Sequence, residues 1–121
     1  MELKLSSSHI LDKAIIELEK MLNERIRNEL KDNYGKYAII TDNYVLVAKK
    51  YIYTGYVSVQ PRAIMKAFND MKKLIIFIEE ESRFLIFNPE KILDNYFIND
   101  RGNITMMNFK VELCEKSLKC V

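Results

Sequence analysis

Lys49 and Lys50 stand at the head of a stretch in which tyrosine recurs at 51, 53 and 56, and Arg62 follows shortly after. Ammonium and guanidinium groups neutralise phosphates, and tyrosine rings stack on bases. Basic and aromatic residues interleaved in this way can therefore contact a nucleic acid. Tyrosines at alternate positions also suit a half-buried strand, which tyrosine favours. Both readings place the segment on extended chain.

Other chemistries find less support. His9 is the only histidine, and it falls at the start of a helical pattern with no serine or cysteine nucleophile in a recognisable context. Cys114 and Cys120 are six apart with no histidine near them, which fits free thiols better than a zinc site. Three widely spaced glycines make no phosphate-cradling loop.

The 121 residues suffice for one domain, 1–121, around a single core. With 49 % hydrophobic and 30 % charged residues the composition is that of a globular protein. A net charge of +2 permits nucleic-acid binding without arguing for it. No apolar run approaches the ~18–20 residues that span a bilayer. Met1–Leu5 lacks the apolar core of a signal peptide, so the expected location is cytoplasmic.

The elements that must position these side chains follow from periodicity. Leu11, Ala14, Ile15, Leu18, Leu22 and Ile26 recur at helical spacing, with Ser6–Ser8 as cap candidates and Asp32–Gly35 as the expected C-terminal stop. Arg25 and Glu29 fall on the apolar side of that helix, either as an exposed ion pair or as a contact to a second subunit. Runs 37–41 and 44–48 flank Asp42-Asn43 and predict a hairpin. A third strand is expected over 56–60.

Pro61 then opens a second helix, with Ile64, Ala67, Phe68 and Met71 as its apolar stripe. Leu74–Ile78 is apolar on both faces, as a central strand would be. Arg83–Phe87 returns as the next strand, and Asn88-Pro89 starts a short helix. Runs 96–98 and 104–111 read as a terminal hairpin.

This α-β-β-β-α-β-β order, with Tyr56–Gln60 leading into Pro61 and Leu74–Ile78 following, resembles the archaeal Holliday junction resolvases of the restriction-endonuclease-like fold. The expected class is thus a mixed α/β domain with one mixed sheet and a C-terminal hairpin. The resemblance implies carboxylates around Mg²⁺ with a lysine beside them. Asp12 or Glu19 would be the helix acid, Asp42 a strand acid displaced into the hairpin turn, and Lys49 the lysine. Lys36 and Tyr37 stand where the family's strand aspartate should be, and Val47 or Ala48 where its glutamate should be.

Ser58 and Gln60 match the polar position before the second helix. The resemblance therefore implies a homodimer that binds branched or duplex DNA through Lys49, Lys50, Ser58, Gln60, Arg62 and Lys66 with a degenerate nuclease centre, Mg²⁺ being needed only if activity survives. Two alternatives stay open, a non-enzymatic homodimeric interaction module and an active metal-dependent endonuclease.

Overall fold

Residues alternate between two apolar faces along the central strands, and that alternation builds the domain. On β3 (Tyr44–Lys49), β5 (Lys73–Ile78) and β6 (Arg83–Phe87), one set of side chains is Val45, Val47, Leu74, Ile76, Ile78, Leu85 and Phe87. The other is Tyr44, Leu46, Ala48, Ile75, Phe77 and Phe84. Each set belongs to its own hydrophobic core, so the sheet must be covered on both sides. The computed structural model describes residues 6–23, 32–33 and 38–120.

The main sheet has six strands in the order β1-β2-β3-β5-β6-β9, where β1 is Asp32–Asn33, β2 Ala38–Ile40 and β9 Lys116–Lys119. β3 and β5 run parallel in register Val45↔Leu74 to Lys49↔Ile78, and the other pairs are antiparallel. Helix α1 (Ser6–Leu22) covers one face with Leu11, Ala14, Ile15 and Leu18. Phe77 and Phe84 meet beneath it, their ring centres 4.9 Å apart.

The opposite face is covered by α2 (Pro61–Asn69), α3 (Pro89–Leu93) and a second, three-stranded antiparallel sheet. That sheet orders β4 (Tyr56–Val59), β8 (Ile104–Lys110) and β7 (Phe97–Arg101) as β4-β8-β7. The rings of Phe87 and Phe109 join the two sheets edge-to-face at 5.2 Å.

Local chemistry sets the punctuation. The Thr41 hydroxyl donates to the Tyr44 carbonyl and accepts from the amides of Asn43 and Tyr44, closing the β2–β3 turn around exposed Asp42 and Asn43. Pro61 occupies the first turn of α2, where no donor is needed. Asn88 accepts from the Glu90 amide at 3.0 Å and caps α3 as its sequence suggested. Gly102, at φ 63°, supplies the positive angle of the two-residue β7–β8 turn.

A single mixed α/β domain is what the sequence led us to expect, and several features differ. The run 56–60 does not join the main sheet; β4 pairs with β8, Ser58 opposite Asn108. The first helix ends at Leu22, and Asn23 takes φ 55°, the left-handed conformation that stops a helix and that asparagine tolerates. Asp32 and Asn33 pair with Ile40 and Ile39 instead of ending that helix. Arg25 and Glu29 lie outside the described residues.

Candidate functional site

The Lys–Tyr stretch folds where the two sheets part. At the end of β3 the amides of Glu79 and Glu80 donate to the carbonyls of Lys49 and Lys50, each at 2.9 Å, and hold this corner against the end of β5. The chain then leaves the main sheet. Tyr53 and Tyr56 exchange backbone hydrogen bonds across Thr54-Gly55, whose φ angles are 53° and 79°. Two consecutive positive angles make the tight turn whose twist suits antiparallel strands. Gly55 carries one of them without penalty, while Thr54 is a β-branched residue in a region such residues avoid.

This path opens a groove of about 480 Å³ lined by Lys49, Lys50, Tyr51, Tyr53, Tyr56 and Ser58. Tyr53 is 65 % exposed and Tyr51 50 %. Ammonium groups and aromatic faces thus share one concave surface. Ser58 is held in its floor: its hydroxyl donates to the Asn108 side-chain carbonyl, and the Asn108 amide donates onward to Asn99. Asn108 is buried, so this polar row across β4, β8 and β7 is satisfied where an unpaired amide would be costly.

A second hollow of about 310 Å³ shares Tyr56 with the first and adds Asp94, Tyr96, Phe97, Asn108 and Lys110 among its walls. The rings of Tyr56 and Phe97 stand edge-to-face at 5.5 Å between the two. Register explains the juxtaposition. Tyr56 lies opposite Lys110 and Phe97 opposite Asn108, so all four project from the outer face of the small sheet, away from Val57, Val59, Met107 and Phe109.

Of the nucleic-acid residues expected from sequence, Lys49, Lys50 and Ser58 converge. Gln60 caps α2 by position alone, its side chain making no cap bond. Arg62 and Lys66 lie on α2 outside the groove lining, and Lys66 pairs with Asp70 at 2.9 Å. Phe97, Asn108 and Lys110 were not anticipated. The only hint in the sequence is that 96–98 is apolar at three successive positions, more than one sheet face can bury.

The catalytic set does not assemble. Asp42 and Lys49 bracket β3, six residues that at roughly 3.3 Å each hold them about 17–20 Å apart. Lys49 continues the alternation of Val45 and Val47 toward the α2 side, whereas α1, which carries Asp12 and Glu19, covers the other face. Mg²⁺ draws its ligands to ~2 Å from one point. Among the described residues no group of three or more Asp, Glu, His or Cys side chains is placed to hold a metal. These acids do not fit a Mg²⁺ centre.

Val47 and Ala48, the positions matched to the missing glutamate, are both buried core residues. Cys114 and Cys120 are both free thiols. Among the described residues no helix is long and apolar enough to cross a membrane. Comparison with family models, with curated proteins and with solved structures gives no match for this chain.

Proposed function

We propose that this protein binds DNA through the groove at the end of β3 and does not hydrolyse it. The observation that carries the reading is the convergence of Lys49 and Lys50 with Tyr51, Tyr53 and Tyr56 on one concave surface. Lysines there neutralise phosphates and release counterions, while the rings offer contacts indifferent to base identity.

Kinship with the resolvases and their restriction-endonuclease-like fold belongs to the same proposal. Its support is the succession α1, strands, α2 from Pro61, β5 and β6; the pairing of β4 outside the main sheet departs from it. The test is fluorescence anisotropy with labelled duplex, four-way-junction and single-stranded oligonucleotides across a salt series. Affinity should fall with log salt in proportion to the phosphates contacted. Binding insensitive to salt, or no binding to any oligonucleotide, would refute the reading.

One observation favours a second reading, the homodimeric interaction module. β7 is an edge strand, and exposed Tyr96, Phe97, Ile98 and Ile104 surround it, a combination suited to pairing with another chain. Sedimentation at micromolar concentration tests it: only a 14.3 kDa species would remove the dimer.

A further inference from the structure

The two hollows form one surface. Tyr56 lines both, and its ring meets that of Phe97 edge-to-face, so the aromatic track passes without a break from the Lys49–Lys50 corner onto the outer face of the small sheet. Lys110 is exposed beside it, opposite Tyr56 in the β4–β8 register. Lys110 therefore adds positive charge beside the ring pair to that of the Lys49–Lys50 corner. Asp94 is the one carboxylate among the described residues that line either hollow.

Phe97 is 50 % exposed, a large apolar ring on the outer face of the small sheet. A duplex keeps its bases stacked on one another and offers a protein only phosphates and groove edges. Unpaired bases offer π-faces, and those are what exposed rings recognise.

We propose that the ligand of this surface is a single-stranded nucleic acid whose unpaired bases stack along the Tyr56–Phe97 track while Lys49, Lys50 and Lys110 take its phosphates. This rests on the nucleic-acid reading above and narrows it. The shared chemistry is a base on a sugar-phosphate chain, available from DNA or RNA.

The test uses the whole chain with labelled oligo-dT, oligo-rU, an abasic oligonucleotide of the same length and a duplex. The protein has seven tyrosines and no tryptophan, so quenching of tyrosine emission reports ring–base contact directly. We expect oligo-dT or oligo-rU to bind at least fivefold more tightly than duplex, and to quench emission. The abasic strand keeps every phosphate but loses every base, so it should bind more weakly by at least roughly fivefold, the least that loss of one stacked base produces.

Phe97→Ala should weaken oligo-dT binding by roughly five- to a hundredfold, the share of one stacked base, and Phe97→Trp should restore affinity; the abasic comparison needs no variant and stands even if Phe97→Ala misfolds. Equal affinity for abasic and ordinary strands, or for duplex and single strands, would overturn stacking while leaving electrostatic DNA binding in place. No binding to any oligonucleotide would overturn both. A dimer abolished by Phe97→Ala, without oligonucleotide binding, would assign this face to a second copy and overturn the proposal.

Discussion

Replacing Val47 by glutamate puts an acid where a resolvase-like centre would want one, and the structure says what that acid would meet. Val47 is 3 % exposed and packs with Val45, Val57, Val59, Ile76 and Met107 between the two sheets. A carboxylate there would be buried among apolar side chains, and a bare buried charge is prohibitive, so the introduced side chain would take up a proton instead. Holding a group of ordinary pKa ~4.3 neutral at pH 7 costs about 1.36 kcal/mol for each of ~2.7 pH units, or about 3.7 kcal/mol. Overpacking and the unpaired carboxyl add roughly 1–3 kcal/mol. Together this approaches the whole stability of a small domain, about 5–15 kcal/mol.

The pH dependence gives the signature. Between pH ~4.3 and the raised folded pKa the native state binds more protons than the unfolded chain, so stability falls as pH rises. Urea denaturation of Val47→Glu at about pH 5 and pH 7, corrected for the parent protein, should differ by about 2.7 kcal/mol in favour of the lower pH. No new Mg²⁺-dependent cleavage should appear at either pH. Parent-like stability at neutral pH, or a gain of cleavage, would refute the placement of Val47 in the core and restore the endonuclease reading.

Lys49→Ala with Lys50→Ala should weaken oligonucleotide binding and flatten the dependence of log K on log salt by about 0.7–0.9 for each phosphate no longer neutralised, measured by anisotropy. An unchanged slope would remove these lysines from the interface. Met71, 93 % exposed at φ 58°, ends α2 in a conformation that glycine adopts without strain. Met71→Gly should therefore raise stability by about 0.5–1 kcal/mol, a few degrees in Tm by calorimetry. Burial, and secondarily the charge of Glu17, pushes the Cys120 thiol above its ordinary pKa, against Lys13, Lys119 and Lys20. Iodoacetamide should thus alkylate Cys120 more slowly than an unfolded-chain thiol near pH ~8, and Glu17→Gln should speed it. The associated stability is present below the unfolded thiol's pKa and is lost as pH rises through the folded one.

Local chemistry was readable wherever it was self-contained. The Asp42-Asn43 turn, Pro61 opening α2 and the Asn88 cap each depend on residues within a few positions of one another. The unbroken apolar run Leu74–Ile78 announced the two-sided burial of β5 in the same way. Pairing across long separations was not readable. Tyr56–Val59 alternates as a half-buried strand must, but that pattern is equally satisfied by either sheet, and its partner Asn108 lies fifty residues away.

β9 escaped notice because Lys116–Lys119 carries one apolar residue, Leu118, and an edge strand buries little else. Half of the candidate site was legible for a related reason. Lys49 to Ser58 is one contiguous stretch, whereas Phe97 and Lys110 reach it only through the β4–β8–β7 register.

The departure of β4 from the main sheet is what makes a groove there at all. β3 is hydrogen-bonded to β5 up to its last residue, and Glu79 and Glu80 extend the pairing to the carbonyls of Lys49 and Lys50. Beyond that corner the chain has to rise to the layer containing β8, since Val57 and Val59 are needed to roof the core over Val45 and Val47. No strand can pair across the resulting gap, so its walls must be side chains whose far ends tolerate water. Lysine and tyrosine meet that condition, each with an apolar stem or ring to lie against the fold and a polar tip for solvent. The residue types that a sheet-to-sheet crossing tolerates are therefore the same types that the proposed nucleic-acid contact would use. Tyr51 and Tyr53 lie along that crossing with half or more of their surface exposed, so a structural role there leaves their faces open to the proposed ligand.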